Sequence, residues 1–161
     1  MKRIMRVTKY GIRNGEDRRP KIVKEVAFNY NSDRVFSEPQ IIVDLLNSSA
    51  FQLSSLPEEY VYMLALDTKC HLIGVFEISH GDANSSCIST KSIYERTLLC
   101  GATRIVVAHN HPSGVPNPST ADKEVCNKIK AAGELLDVEL LDFIIIGNPG
   151  FFSFHTENLL L

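Results

Sequence analysis

The feature that most constrains the fold is an apolar run that ends in two closely spaced histidines. Residues 105–108 are Ile-Val-Val-Ala, and the chain continues directly into His109 and His111. Apolar residues that open onto a polar pair are typical of a buried strand ending at a site. Because strand side chains alternate between faces, both imidazoles are expected on one side of the sheet. The run therefore predicts a central strand with two imidazoles at its end.

A rigid connection follows the histidine pair. Three prolines and a glycine between residues 112 and 118 exclude a helix there and require a turn. A helical apolar pattern then begins at Ser119, which fits a helix N-cap. Asp122 falls three residues later, in the first turn and on the same face. We expect the loop to return both side chains to the strand end that carries the histidines.

The spacing of Ser119 and Asp122 has two interpretations. Ser-x-x-Asp before an apolar helix is an ordinary capping signal. Together with His109 and His111, however, Asp122 completes a set of two imidazoles and one carboxylate. Three protein ligands with a fourth position open to water are the arrangement of a catalytic zinc site. We therefore predict a metal site with Zn²⁺ as its ion, although such a set also accepts iron or manganese.

The same residues carry a family resemblance. His-x-His, seven residues and then Ser-x-x-Asp resembles the JAMM signature of the JAB/MPN zinc metallopeptidases. Residues 109–122, with LALDTK at 64–69, Gly81 and LDFIIIG at 141–147, closely resemble the bacterial RadC-like branch. The resemblance covers about residues 37–161. It implies an α/β fold, a mixed β-sheet flanked by helices in the JAB/MPN (cytidine-deaminase-like) architecture.

The resemblance also implies roles for individual side chains. His109, His111 and Asp122 correspond to the zinc ligands of the family. Ser119 corresponds to the serine that helps to hold the oxyanion or the bound water. The implied reaction is hydrolysis of a peptide or isopeptide bond by metal-activated water, so the expected partner is a peptide or protein substrate.

The family further requires an upstream glutamate as general base. Glu59 falls at that place, just before the strand that ends near Leu66. A glutamate there can take a proton from water and pass it to the leaving amine. Glu58 is the alternative, but only if the strand register is shifted by one residue, which would exchange the two faces. We favour Glu59.

The chain departs from the family pattern at two places. RadC-like chains commonly carry a histidine where this chain has Phe143. That histidine is not a matched ligand, so its replacement affects an outer polar contact rather than the ligand set. RadC-like proteins also usually carry an N-terminal helix-hairpin-helix region associated with DNA binding. Residues 1–36 do not read as helices, so we expect no such region in them.

Length and turn signals predict one domain with an extension. The 161 residues, 44% of them hydrophobic, are enough for a sizeable core. Residues 3–12 and 20–30 flank the turn signal Asn14-Gly15 and predict a β-hairpin. We divide the chain into a basic N-terminal hairpin or arm, 1–36, and a RadC-like JAB/MPN metal-binding domain, 37–161.

Helices and strands are expected to mix along the second domain. We predict helices at about 37–48, 90–101 and 119–132, with Gly101 and Gly133 as the stops of the last two. The apolar runs predict strands at about 59–66, 71–79, 103–109, 138–146 and 151–154.

Charge leaves a second functional class open. Residues 1–24 hold nine Lys and Arg against two acidic residues, a balance of +7, so the remainder of the chain carries −9. Such an arm could contact phosphate backbones. Because no aromatic residues or recognition motif accompany it, we favour a solvated hairpin face and expect only weak nucleic-acid contact. The family resemblance implies an alternative function, that of a RadC-like DNA-repair or DNA-transaction accessory protein whose metal domain serves binding or assembly.

Other features point to a cytoplasmic protein. The N-terminus lacks the apolar segment of a signal peptide, and no apolar run is long enough to span a membrane. The cysteines show no C-x-x-C spacing and are expected to be reduced thiols. A cysteine protease is disfavoured because no histidine constellation matches them. These cysteines are Cys70, Cys87, Cys100 and Cys126.

Overall fold

The structure, a computed structural model, describes residues 4–31, 35–81 and 88–160. The strands found there form one sheet in the order β2-β1-β4-β3-β5-β6-β7, with β1/β4 and β5/β6 parallel and the other neighbours antiparallel. The expected mixed α/β fold with an N-terminal hairpin is confirmed. The elements are β1 Ile4–Asn14, β2 Pro20–Asn31, α1 Pro39–Leu46, a 3-10 helix Leu53–Ser55, β3 Glu59–Leu66, β4 Leu72–Gly81, α2 Thr90–Cys100, β5 Arg104–Asn110, α3 Thr120–Leu136, β6 Glu139–Ile146 and β7 Phe151–Ser153.

The sheet separates two apolar cores. Helix α1 covers one face, where Val106 and Ala108 of β5 point. Helices α2 and α3 cover the other face, where Ile105 and Val107 point. This alternation along β5 is the one expected of a strand buried on both sides. It places residue 109 on the α2–α3 side and residue 110 on the α1 side.

The N-terminal hairpin is continuous with the main sheet. β1 pairs with β2 along its length, and the turn between them spans residues 15–19 rather than Asn14-Gly15 alone. The N–H of Gly15 donates to the carbonyl of Arg19 at 2.9 Å and closes that turn. On its other edge β1 pairs with β4 in parallel at Lys9 and Tyr10.

Gly133 does not end α3, so this prediction was wrong. The helix continues to Leu136 and ends at Asp137, which takes a left-handed conformation with φ of 54°. A side chain at Gly133 would collide with the carbonyl of Val138 and the hydroxyl of Tyr94. Glycine at this position inside α3 therefore lets Val138 and Tyr94 approach the helix backbone closely. Gly101, by contrast, caps α2 as predicted, with φ of 69°.

The described cysteines are Cys70, Cys100 and Cys126, and all three are free thiols. Cys87 lies outside the described residues. Within the described part of the chain, no helix is both long and apolar enough to cross a membrane.

Candidate metal centre

The two histidines stand at the end of β5, which has neighbouring strands on both sides. Residue 109 pairs with Val61 of β3 and Ile145 of β6, and His109 is fully buried. The N–H of His111 donates to the carbonyl of Ile146 at 2.9 Å, one residue beyond the strand. The chain thus stays beside β6 to that point, and the two Nε2 atoms lie 3.2 Å apart.

The carboxylate arrives from the first turn of α3. The loop before it turns at Gly114, whose φ is 81° and whose carbonyl accepts from the N–H of Asn148 at 2.9 Å. Asp122 Oδ1 lies 3.1 Å from Nε2 of His109, and Oδ2 lies 3.5 Å from Nε2 of His111. The fold therefore brings together the three side chains predicted as ligands.

Ser119 and Asp122 form a reciprocal capping box at the start of α3. The N–H and the hydroxyl of Ser119 both donate to Asp122 Oδ2, each at 2.7 Å. The N–H of Asp122 donates back to Ser119 Oγ at 3.1 Å. Both interpretations of the Ser-x-x-Asp spacing are therefore compatible, because the cap orients the same carboxylate that faces the histidines. The oxyanion role of Ser119 stays a prediction.

The two imidazoles are held differently. Nδ1 of His111 lies 2.8 Å from the carbonyl oxygen of Val115. A carbonyl only accepts, so Nδ1 carries a proton, and in the neutral ring Nε2 keeps its lone pair for a metal. Nδ1 of His109 is buried and has no hydrogen-bond partner within the described residues. Its ring packs against Phe143, with centroids 5.4 Å apart.

The charges of the centre favour an ionised carboxylate. Burial raises the pKa of Asp122, but hydrogen bonds from His109, His111 and Ser119 outweigh it and hold that pKa well below its usual range. The hydrogen bond with Asp122 raises the pKa of His111, and the charge of Glu59 adds to this effect. Asp122 is therefore an anion at neutral pH, and its oxygens are available to a cation.

Strand alternation distinguishes Glu59 from Glu58. Val61 lies opposite His109 and packs in the core on the α2–α3 side. Glu59, two residues before Val61, belongs to the same face, whereas Glu58 belongs to the other. Glu59 is half-buried and lines a cavity of about 240 Å³ together with Asp122, while Glu58 is exposed. The fold thus brings Glu59 to the centre, and its role as general base stays a prediction.

Asn110, between the two histidines, has a structural role that the sequence analysis missed. It is buried, its Nδ2 donates to the carbonyl of Glu58 at 2.9 Å, and its Oδ1 accepts from the N–H of Tyr60 at 2.8 Å. These bonds fasten the start of β3 to the end of β5 and so hold Glu59 near the histidines. The available signal was a polar residue on the buried face of a central strand, which requires partners.

A divalent metal ion fits this donor set. The ligand atoms of His109, His111 and Asp122 all lie within 4.8 Å of one another. Imidazole nitrogens with one carboxylate suit zinc, and they also suit iron and manganese. No second cluster of three or more metal-binding side chains occurs in residues 4–31, 35–81 and 88–160. The three side chains therefore form the candidate metal centre of the described chain.

Known proteins resemble this chain over the region that holds the centre. The RadC-like JAB domain family matches residues 36–159. The UPF0758 protein of Methylibium petroleiphilum is 36% identical over 126 residues, which are 78% of this chain and 55% of that protein. The UPF0758 protein of Clostridium botulinum is 34% identical over 122 residues, 76% of this chain and 52% of that protein.

A third relative, from Pasteurella multocida, is 40% identical over 108 residues, 67% of this chain and 48% of that protein. The chain thus spans about half the length of the curated relatives it matches. The family match contains the three helices, strands β3 to β7 and the whole candidate metal centre. The chain therefore belongs to the RadC-like JAB domain family.

Proposed function

We propose that this domain is a zinc-dependent metallohydrolase of the JAMM type that cleaves peptide or isopeptide bonds. The observation that carries the proposal is the convergence of two imidazoles and one carboxylate beside Glu59. His109, His111 and Asp122 would hold the ion and leave a position open for water and substrate. Bound zinc supplies a Lewis acid and brings the pKa of water to about 7.

The chain's own residues would then handle protons and orientation. Glu59 would take the proton of the attacking water and return it to the nitrogen of the leaving amine. The backbone N–H of Ser119 would keep Asp122 oriented, and the single proton of its hydroxyl would turn from Asp122 Oδ2 to the developing oxyanion. The carbonyl of Val115 would hold His111 in the tautomer that binds a metal.

The proposal is tested by Glu59→Gln, with Glu58→Gln as the neighbouring control. Both proteins are loaded with zinc, their metal content is measured, and both are incubated with a panel of fluorogenic peptides and lysine-isopeptides. We expect both variants to retain zinc and only Glu59→Gln to lose cleavage, by about 100-fold or more. Equal cleavage by wild type and Glu59→Gln would contradict the assigned base, and absence of cleavage by zinc-loaded wild type would contradict the hydrolase.

The charge of the hairpin favours a second function, contact with DNA as an accessory protein in DNA transactions. Its strands and turn expose basic side chains on one extension of the sheet: Arg6, Arg13, Arg18, Arg19, Lys21 and Lys24. Exposed cations attract phosphates and release counterions, so such binding should weaken steeply with salt. The test is the affinity for duplex DNA at several salt concentrations, for wild type and for Lys21→Glu/Lys24→Glu. Affinity unchanged by the substitutions would count against it.

A further inference from the structure

Strands β1 and β4 diverge after a short contact and leave a cleft. They pair in parallel only at Lys9 with Val75 and Tyr10 with Phe76, although β1 continues to residue 14 and β4 to residue 81. The diverging edges surround a cavity of about 480 Å³. Small-molecule sites typically occupy roughly 300–1,000 Å³. This cleft, named here the β1–β4 cleft, shares no lining residue with the cavity at the metal centre.

On the α1 side of the sheet, where Tyr62 packs, the acidic groups of the cleft already have partners. Nζ of Lys9 lies 2.7 Å from Oε2 of Glu77 and 3.7 Å from Oε2 of Glu25. Glu77 also accepts a hydrogen bond from the hydroxyl of Tyr62 at 3.4 Å, and its Oε1 lies 2.8 Å from Nδ1 of His80. Each acidic group on this side therefore already has a cationic or hydrogen-bonding partner.

Two β-bulges shape the cleft. Glu25 is the extra residue of β2 opposite Lys9 and Tyr10, and Ile78 is the extra residue of β4 opposite β3. Bulges redirect side chains and are frequent beside functional sites. Beyond the second bulge, Ser79 stands opposite Val61, whose side chain packs on the α2–α3 side of the sheet.

On the α2 side, the cleft offers polar groups that lack acceptors. Arg96 of α2 donates from Nη1 to the carbonyl of Ser92 at 2.9 Å, which holds the guanidinium in place. Nε of Arg96 and Oγ of Ser79 are buried, and neither has a hydrogen-bond partner in the part of the chain that the structure describes. Burial also lowers the pKa of Arg96, as expected for a cation removed from water. A buried donor without an acceptor is unfavourable, so both groups would gain from an incoming oxyanion.

We infer that the β1–β4 cleft binds a small organic carboxylate, held by the guanidinium of Arg96 and the hydroxyl of Ser79. The planar guanidinium presents paired donors that match the two oxygens of a carboxylate. Lys9 offsets one of the two negative charges of Glu25 and Glu77, which reduces their repulsion of an anion. The cleft is thus a second ligand site, independent of the metal centre and of the hydrolase proposed for it.

The test follows the Nε–Hε signals of arginine side chains by two-dimensional NMR of the full chain. Sodium acetate and sodium succinate are titrated against sodium chloride at matched ionic strength, and sodium phosphate forms a separate arm. We expect the Arg96 signal to shift and to saturate with the carboxylates but not with chloride. Arg104 is the internal control, because its Nε already lies 2.8 Å from Glu139 Oε2.

Variants show whether the response belongs to the cleft. With the backbone N–H of Ser79 as the reporter, Arg96→Gln should weaken carboxylate binding by roughly tenfold or more, and Arg104→Gln should leave it unchanged. Ser79→Ala serves as the second variant if Arg96→Gln does not fold, with the Arg96 signal as its reporter. Saturation by phosphate without a response to carboxylates would overturn the ligand class. Absence of any saturating shift, or equal shifts at Arg96 and Arg104, would overturn the site.

Discussion

The candidate metal centre and the β1–β4 cleft are polar sites of one sheet, but the chain builds them in different ways. The three predicted ligands and Ser119 all fall within residues 109–122, a strand end, a loop and a helix start. The charged side chains of the cleft, Lys9, Glu25, Glu77 and Arg96, come from four separate elements. A contiguous site is visible in the spacing of residues, whereas a dispersed one appears only when strands are placed side by side.

The two sites also differ in how they balance charge. In the candidate metal centre the carboxylate of Asp122 faces two imidazoles and accepts from a hydroxyl, and a divalent cation can take the place of the imidazole protons. In the cleft the carboxylate of Glu77 is already paired with Lys9. We therefore expect metal to bind at the candidate metal centre, and we expect the stability contributed by the Lys9–Glu77 pair of the cleft to depend on pH.

Removal of two predicted ligands is the change expected to affect the two sites most differently. His109→Ala/Asp122→Ala should reduce bound zinc from about one ion per chain to near zero, because one donor cannot hold the ion. Metal content is measured by mass spectrometry on protein purified without chelator. His71→Ala/Asp67→Ala is the matched control, since that exposed pair, 3.0 Å apart, lies outside the centre. Full zinc in the ligand variant would contradict the site.

Asn110→Ala tests whether the contiguous motif depends on a distant strand. The change leaves the carbonyl of Glu58 and the N–H of Tyr60 without their partner. The free energy of unfolding should therefore fall by about 1–3 kcal/mol. We also expect zinc to be retained while cleavage falls, because Glu59 loses its support. Urea unfolding, metal content and cleavage rates measure the three effects. Unchanged stability together with unchanged cleavage would show that the contact is dispensable.

Ser119→Ala should have a smaller effect, limited to the start of α3. Loss of the cap is expected to cost about 1 kcal/mol of stability. Because Asp122 also loses one of its two hydrogen bonds from Ser119, zinc affinity should fall by about 10-fold to 100-fold. Thermal unfolding and competition with a zinc chelator measure these effects. Ser119→Thr restores the hydroxyl and should restore both, and a threonine variant as weak as alanine would argue against the cap.

Glu77→Gln should give the smallest change, confined to the cleft. Burial raises the pKa of Glu77, but Lys9 and His80 outweigh it and lower that pKa. A lowered pKa means that the stabilisation is complete above the ordinary glutamate value, about 4.3, and is lost as pH falls through the folded-state value. Glu77→Gln should therefore cost about 1 kcal/mol at neutral pH and nothing in strong acid.

Urea unfolding of wild type and Glu77→Gln over a series of pH values tests this dependence. Glu25→Gln is the control, because Glu25 lies farther from Lys9, at 3.7 Å, and should contribute less. A stability difference that does not change with pH would show that Glu77 acts through packing rather than charge. Zinc content should be unaffected in either variant, which would keep the two sites distinct.

Local signals predicted much of the fold correctly. The hairpin, the cap of α2 at Gly101 and the central strand before His109 each follow from residues within a few positions of one another. Gly133 was misinterpreted because a glycine near a helix end resembles a stop. Its actual neighbours, Val138 and Tyr94, are known only from the packed structure.

The sequence by itself determined the types of the candidate ligands, their spacing and the strand–loop–helix that carries them, because alternation and capping act over a few residues. Tertiary structure decided the rest. The pairing of β3 with β5 brings Glu59 rather than Glu58 to the centre, and the divergence of β1 from β4 opens the cleft. The physical reason is that strand register and close packing involve residues far apart in the chain, so no local sequence pattern predicts them.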